Sequence, residues 1–118
     1  MAKVLIVDDS IYQRNIIIEF LSRSGYTCIE APDGEKGLEL IDSKKPDCVI
    51  LDINMPKISG EELLKILKDR KLNLPVIVVS ADIQESTKNA CLELGAREFL
   101  NKPVHKDLLL QAISDALK

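Results

Sequence analysis

Five residues with chemically useful side chains each stand just past a short apolar run of the sequence: Asp8, Asp9, Asp52, Ser80 and Lys102. Carboxylates brought together repel one another, by roughly 4 kcal/mol for two charges about 4 Å apart at an effective dielectric constant of about 20. A hard divalent cation relieves that repulsion. The ligands on offer are oxygens, and few of them are charged, which favours Mg²⁺ with several retained waters over Zn²⁺. The sequence therefore predicts a Mg²⁺ site wherever the fold gathers these acids.

The elements that must position these residues alternate between short β-branched runs and longer segments of helical period. Five runs predict strands, at residues 4–7, 26–30, 48–51, 76–79 and, more weakly, 98–100. A helix is expected after each run, and the apolar spacing is clearest for the last one, between residues 108 and 117. Ser10 and Ser59, each followed three residues later by Gln or Glu, predict helix starts. Gly25 and Gly95 follow helical segments and predict their ends.

The apolar character of the strands indicates how they are arranged. A near-continuous run such as residues 76–79 needs cover on both faces, which is typical of a parallel sheet with helices on each side. We therefore predict an α/β fold, a doubly wound parallel sheet of five strands with five helices. At 118 residues the chain is expected to be one domain, residues 1–118. Sites in such sheets lie past the carboxyl ends of the strands, so the five residues should converge.

The overall composition bears on partners and compartment. Sixteen Lys and Arg against nineteen Asp and Glu give a net charge of −3, which disfavours phosphate backbones and anionic lipids. With no Trp, two Tyr and two Phe, aromatic platforms for single-stranded bases are scarce. Cys28, Cys48 and Cys91 are widely spaced among apolar neighbours, as is typical of buried thiols in a reduced protein. Since signal-like and 18-residue apolar segments are absent from the sequence, we expect a cytoplasmic protein without direct nucleic-acid or membrane contacts.

Four segments share the order and spacing of one family's motifs: LIVDDS at residues 5–10, VILDINMP at 49–56 with SG at 59–60, VVSA at 78–81, and FLNKP at 99–103. Together they resemble the receiver domain of two-component response regulators. The resemblance covers residues 3–117 and implies a flavodoxin-like sheet with strand order 2-1-3-4-5. It also implies phosphorelay signalling by a protein that is not an enzyme, beyond catalysing its own phosphorylation and dephosphorylation.

The resemblance implies a role for each residue of the acidic group. Asp52 is the phosphoryl acceptor, a carboxylate nucleophile that takes the group from a phosphohistidine or from a small acyl phosphate. The phosphohistidine belongs to a sensor histidine kinase or a phosphotransfer protein. Asp9 and Asp52 bind Mg²⁺ through their side chains, Asn54 through its main-chain carbonyl, and Asp8 largely through water. Lys102 contacts a phosphoryl oxygen.

Other residues are implied to act once the phosphoryl group is in place. The Ser80 hydroxyl and the Ala81 backbone N–H bind phosphoryl oxygens. Ser80 and Phe99 form a switch in which the hydroxyl moves toward the phosphoryl group and the ring turns into the vacated space. Asn54 and Asp82 flank the path of the hydrolytic water and tune the rate of dephosphorylation.

The region around the fifth strand is expected to carry the output. The resemblance implies a cis peptide before Pro103. The chain departs from many family members at His105, a poor N-cap that Asp107 in the first turn partly offsets. The downstream partner is expected on the face made by the fourth helix, near residues 84–94, the fifth strand and the last helix. Four exposed residues of this face are predicted: Asn89, Glu93, Arg97 and Lys106.

Several other functions compete with a stand-alone receiver. Phosphatases that form an aspartyl phosphate typically carry an acid two residues past the nucleophile, where this chain has Asn54. A flavin carrier on the same fold cradles phosphate in its first turn, which Asp8 and Asp9 would repel. A pseudo-receiver lacks the acceptor or the lysine. We expect a stand-alone receiver, monomeric or weakly dimeric, with two alternatives: the N-terminal receiver of a longer DNA-binding regulator or, less favoured, the phosphatase.

Overall fold

The computed structural model describes residues 2–118, which alternate regularly between strands and helices. The strands are β1 (Lys3–Val7), β2 (Thr27–Ala31), β3 (Cys48–Leu51), β4 (Val76–Ser80) and β5 (Glu98–Asn101). The helices are α1 (Ile11–Ser22), α2 (Gly34–Lys44), α3 (Gly60–Asp69), α4 (Glu85–Glu93) and α5 (Lys106–Ala116). Each predicted strand is present, and its ends agree with the prediction to within one residue.

The five strands form one parallel sheet in the order β2-β1-β3-β4-β5. Val7, at the end of β1, lies level with Ala31 in β2 and Leu51 in β3. Ser80, at the end of β4, lies level with Asn101 in β5. The carboxyl ends of the strands therefore meet along one edge. The predicted strand order and flavodoxin-like topology are confirmed.

Helices cover both faces of the sheet, as the apolar strands require. Along β1, Leu5 and Val7 pack into the core beneath α2, α3 and α4, whereas Val4 and Ile6 pack beneath α1 and α5. This alternation follows from the two-residue period of a strand. Because both faces are covered, β1, β3 and β4 are buried nearly throughout.

Local signals at the helix ends behave as the sequence indicates. The Ser10 hydroxyl accepts a hydrogen bond from Gln13 N at 3.2 Å. Ser59 and Glu62 form a reciprocal capping box at the start of α3. Gly25 and Gly95 have φ values of 90° and 100°, in the left-handed region that favours glycine after a helix.

The burial of the cysteines and the length and polarity of the helices can be compared with the expectations drawn from composition. Cys48 and Cys91 are buried and Cys28 is half-buried, and all three are free thiols. Burial raises the pKa of Cys48 and of Cys91 to about 11, so both thiols stay protonated at neutral pH. Within residues 2–118, every helix is too short or too polar to cross a membrane.

Candidate functional site

The acidic residues meet because β1 and β3 are neighbours that end at the same level. Asp8 and Asp9 follow β1, and Asp52 follows β3. Backbone pairing continues past the strand ends: Asp52 N donates to the Val7 carbonyl at 2.9 Å, and Asp8 N donates to the Ala31 carbonyl at 3.1 Å. Carboxylate oxygens of the three acids all lie within 4.8 Å of one another. The convergence predicted for the acids is thus present.

The three carboxylates differ in exposure. Asp8 is 3% and Asp52 7% exposed, whereas Asp9 lies open to solvent. Burial raises the pKa of Asp52, the negative charge of Asp8 raises it further, and the ammonium group of Lys102 partly offsets both. Ionised Asp52 is therefore held at a cost in free energy, and a cation placed among the three oxygens would lower that cost.

Lys102 follows β5, and its side chain extends toward the acids that follow β1 and β3. Its Nζ lies 3.1 Å from Asp8 Oδ2 and 3.6 Å from Asp52 Oδ1. The backbone N–H of Lys102 donates to the Ser80 carbonyl at 2.8 Å, and the peptide bond to Pro103 is cis, as expected. Asp8 is also held by the Ser10 backbone N–H, which donates to Asp8 Oδ1 at 2.9 Å. The pairing of Lys102 with Asp8 is a contact that the sequence did not indicate.

The acid cluster has the donor set that Mg²⁺ requires. Three carboxylates supply oxygen ligands around one point, and Asp9 is open to the solvent that Mg²⁺ retains. Asn54, two residues past Asp52, lies exposed in the loop that follows β3. The residues present therefore fit a hydrated Mg²⁺ ion better than a softer metal.

The loop after β3 is fixed close to Asp52. Gly60, the first residue of α3, donates its backbone N–H to the Ile53 carbonyl at 2.9 Å. A Cβ at position 60 would overlap the Asp52 carbonyl oxygen and would lie 2.7 Å from Ile53 Cα. Lys57, in the same loop, has a φ of 67°, a conformation that non-glycine residues adopt at a cost of about 1 kcal/mol. Its Nζ lies 3.6 Å from Asp33 Oδ2, which joins the loop to the start of α2.

Ser80 lies next to the acids but is engaged elsewhere. Its side chain is fully buried, and its hydroxyl accepts the Asp82 backbone N–H at 3.0 Å. The Asp82 carboxylate in turn accepts the Gln84 backbone N–H at 2.9 Å and the Thr87 hydroxyl at 2.7 Å. The Gln84 bond, followed by the Thr87 bond, lowers the pKa of Asp82. Asp82 thus fixes the start of α4, a role that the sequence did not suggest, and Ala81 between them is exposed.

Phe99, the aromatic residue expected to switch, lies in the edge strand β5. Phe99 is half-buried in β5, level with Val78, and it packs against the core beneath α3 and α4. It also lines a surface cleft of about 300 Å³ that extends to His105 and Leu108. The residues expected on the output face are all exposed: Asn89, Glu93, Arg97 and Lys106. Arg97 precedes β5 and so lies at the opposite end of that strand from Lys102.

The sequence did not single out Arg14 or Thr87, although each supports the site, and it marked Gly60 only as part of the motif at residues 59–60. Arg14 carries a signal in its spacing, because it stands three residues before the buried Ile17 and seven before the buried Leu21. That spacing places a charged residue on the core side of α1. Thr87 acts through a bond to Asp82, five residues earlier, which only the conformation of the loop before α4 makes possible.

Comparison with known proteins agrees with this combination of fold and site. Residues 4–114 match the family described as the response regulator receiver domain. The alkaline phosphatase synthesis transcriptional regulatory protein PhoP of Bacillus subtilis is 40% identical over 101 residues, which are 86% of this chain and 42% of PhoP. Protein PilH of Pseudomonas aeruginosa is 37% identical over 119 residues, which cover 99% of this chain and 98% of PilH. Several other curated relatives are longer, and the chain spans 12 to 50% of their length.

A solved structure gives the same result at the level of the backbone. The receiver domain of the Francisella response regulator 1452 is 32% identical and superposes with a TM-score of 0.94, covering 99% of this chain and 97% of that domain. The chain belongs to the family of response regulator receiver domains. It is therefore a module of two-component phosphorelay signalling, whose members are typically phosphoacceptors that receive the group from a histidine kinase. The group formed by Asp8, Asp9 and Asp52 is typical of the Mg²⁺ site of these domains.

Proposed function

We propose that this protein accepts a phosphoryl group on Asp52 in a Mg²⁺-dependent reaction and thereby switches a partner-binding face. The donor is the phosphohistidine of a sensor histidine kinase or phosphotransfer protein, or a small acyl phosphate. The observation that carries the proposal is the gathering of three carboxylates around one point with Lys102 in contact with two of them. A buried acid with a raised pKa beside a paired lysine is typical of a functional site.

The transfer is a substitution at phosphorus. A carboxylate oxygen of Asp52 forms the new P–O bond, the bond from phosphorus to the donor atom breaks, and its electron pair leaves with the donor. The Asp9 and Asp52 side chains and the Asn54 carbonyl are the proposed direct ligands of Mg²⁺, and Asp8 would bind it largely through water; the ion, when bound, would neutralise the charge shared by the acceptor and the phosphoryl group. The Lys102 ammonium group then exchanges its contact with Asp52 for a phosphoryl oxygen. The Ser80 hydroxyl and the Ala81 N–H donate to the other oxygens.

The hydrogen bonds around Ser80 suggest how phosphorylation is transmitted. For its hydroxyl to reach the phosphoryl group, Ser80 must release the backbone N–H of Asp82. Asp82 is the residue whose carboxylate fixes the start of α4. The space that Ser80 vacates admits the ring of Phe99. Since Phe99 has no hydroxyl, this switch acts through shape and burial. The signal leaves on the face made by α4, β5 and α5, whose mixed charges suit a transient contact.

We also propose that residues 1–118 act as one domain and as a stand-alone regulator, monomeric or weakly dimeric. The match with PilH, which extends over 98% of that protein, supports this assignment. The match with PhoP, whose name describes a transcriptional regulator and of which the chain spans 42%, supports the alternative of a receiver joined to a DNA-binding domain. The reading frame of the natural gene distinguishes the two.

Intact mass spectrometry after exposure to acetyl phosphate tests the acceptor. We expect one added phosphoryl group in the presence of Mg²⁺, and none with EDTA or in Asp52→Asn. The matched control is Asp69→Asn, an exposed acid on α3, which should be labelled as fully as the wild type. Lys102→Ala should bind Mg²⁺ but accept the group slowly. A fully labelled Asp52→Asn would refute the assignment.

Amide NMR with and without beryllofluoride, a mimic of the phosphoryl group, tests the switch. We expect shift changes across residues 84–110 in the wild type and a smaller response there in Phe99→Ala. Wild-type changes confined to the loops around Asp52 would contradict the switch while leaving the acceptor assignment intact.

The lifetime of the phosphorylated protein tests Asn54 and Asp82. Asn54→Ala and Asp82→Ala should each change the rate of dephosphorylation several-fold while leaving phosphorylation unchanged, because neither side chain is a proposed metal ligand. Asp82→Asn is the control that separates charge from contact, since the amide can still accept the Gln84 N–H. Equal decay rates in all of these proteins would count against the role of both residues.

A further inference from the structure

Arg14 is a charged residue on the core side of α1, next to the acids but outside the chemistry described above. Its side chain is 11% exposed, whereas that of Arg23, the residue just past the end of α1, is 73% exposed. Arg14 Nη1 donates to the carbonyl oxygen of Asp8 at 2.7 Å, and its Nε donates to Glu30 Oε1 at 2.8 Å. One guanidinium group therefore joins β2, α1 and the loop that carries the acids.

The Asp8 carbonyl is informative because it belongs to the peptide group between the two adjacent acids. The carboxylate of Asp8 is already held by Ser10 N and by Lys102. The carboxylate of Asp9 lies in solvent, so its position depends on the backbone that carries it. By fixing the Asp8–Asp9 peptide group, Arg14 limits the directions in which Asp9 can point.

Glu30 determines where the guanidinium group lies. It lies in β2 level with Ile6, one residue before the end of the strand, and its side chain is half exposed. The Arg side chain presents its donors in a rigid, planar fork, so a bond from Nε to Glu30 sets the direction of Nη1. A lysine has a single nitrogen on a flexible stem and cannot reproduce both directions at once.

We propose that Arg14 is a positioning residue for the Mg²⁺-binding carboxylates: Glu30 orients Arg14, and Arg14 orients the Asp8–Asp9 peptide group. This inference rests on the proposed function, because Mg²⁺ is the cation whose binding it supports. Partners that orient the ligands of a metal typically change metal affinity by 10- to 100-fold when they are replaced. A weakly held ion such as Mg²⁺ is expected at the lower end of that range.

Two measurements on the full chain separate positioning from simple structural support. Mg²⁺ affinity is obtained by titration of the ¹⁵N-labelled protein, followed at the Asp9 and Ser10 amides. The free energy of unfolding is obtained with urea in EDTA. The variants are Arg14→Lys, which keeps the charge, and Glu30→Gln, which keeps Arg14. The matched controls are Arg23→Lys and Glu19→Gln, which make the same changes in an exposed ion pair at the end of α1.

We expect Arg14→Lys to weaken Mg²⁺ binding by about tenfold and Glu30→Gln by about threefold, with both controls unchanged within about twofold. The double variant should bind Mg²⁺ about as weakly as Arg14→Lys alone, because the two residues act in series. If Arg14→Lys lowers the free energy of unfolding and leaves Mg²⁺ affinity within twofold of the wild type, the positioning role is wrong.

The remaining outcomes are equally decisive. Should Arg14→Lys fail to fold, Glu30→Gln decides the matter: a threefold loss of affinity supports the inference, and an unchanged affinity overturns it. The wild-type titration comes first and tests the proposed function by itself. If Mg²⁺ leaves the wild-type amides unchanged, both proposals fail; if the wild type binds and the variants bind equally well, only the role of Arg14 fails.

Discussion

Two regions of the molecule meet at the acids and differ in how completely they are buried. We call them the acceptor region, made of β1, β3 and α3, and the switch region, made of α4 and β5. In the acceptor region β3 is buried throughout, and α3 begins with a reciprocal capping box and buries four residues: Gly60, Leu63, Leu64 and Leu67. In the switch region β5 is half-buried or exposed along its length, and α4 buries Cys91. The start of α4 depends on Asp82 and Thr87.

This contrast suits the proposed function, in which one region holds the phosphoryl acceptor in place and the other responds to its state. A nucleophile needs a fixed geometry, which close packing beneath α3 supplies. An element that changes position in response to one added group must have a small free-energy difference between its two arrangements, and such elements come from the less stable parts of a fold. The difference in burial thus agrees with the proposed direction of signalling, from Asp52 outward to α4 and β5.

The largest expected effect comes from adding one methyl group in the acceptor region. Gly60→Ala should lower the free energy of unfolding by about 3 kcal/mol, because the new Cβ would overlap the Asp52 carbonyl where neither backbone can yield. Gly95→Ala, just past α4, is the control: nothing lies within 4 Å of its Cβ, so the cost is that of the left-handed backbone, about 1 kcal/mol. Urea unfolding measures both, and equal losses would contradict the contrast between the regions.

Hydrogen exchange should detect the same contrast without any substitution. Backbone amides of β1 and β3 are expected to exchange only through global unfolding, and those of α4 through local opening. We expect at least about a 100-fold difference in protection, which corresponds to roughly 2.7 kcal/mol. Amides of α3, a helix of similar length on the same face of the sheet, are the internal control. Equal protection of the α3 and α4 amides would contradict the contrast in stability between the two regions.

A smaller effect is expected from the charge of Asp52, the proposed acceptor. Since burial and Asp8 raise the pKa of Asp52, its stabilising contribution is complete below the unfolded pKa and is lost as pH rises through the folded value. At pH 7 ionised Asp52 therefore costs stability. In EDTA, Asp52→Asn should raise the free energy of unfolding by about 1 kcal/mol, and the gain should shrink as the pH falls toward about 4. A destabilised variant at pH 7 would show instead that the contact with Lys102 dominates.

The smallest expected effect concerns the hydrogen bond that fixes the start of α4. Thr87→Val removes the donor to Asp82 while keeping the shape of the side chain, and it should speed exchange of the α4 amides by about threefold. Exchange in β3 should stay unchanged, which provides the control within the same experiment. Thr27→Val, an exposed threonine in β2, is a matched substitution outside the switch region. Slower exchange in α4 of Thr87→Val would contradict the role assigned to this bond.

The sequence predicted the fold to within one residue at each strand because the relevant signals are local. Apolar runs that are buried on both faces stand out against charged helices, and the polar residues after them fall at one edge by the geometry of a parallel sheet. For the same reason Asp8, Asp9 and Asp52 could be placed together before the structure was known. The resemblance supplied the strand order.

What the sequence did not predict depends on which side chains meet across the fold. The pairing of Lys102 with Asp8 and the double contact of Arg14 each join separate elements. Side-chain directions of this kind follow from packing and leave no periodic trace in the chain. Lys57 shows a further limit, because its left-handed backbone is a conformation that local preference would assign to glycine.

The order of the strands in the sheet has a consequence for synthesis on the ribosome, where the amino-terminal part of a chain emerges first. β2 pairs with one side of β1 and β3 with the other, and β4 and β5 then add in turn to the growing outer edge. No strand has to insert between two that are already paired. All three acids have therefore emerged once the chain extends as far as Asp52, and Lys102, which contacts two of them, emerges later, together with β5.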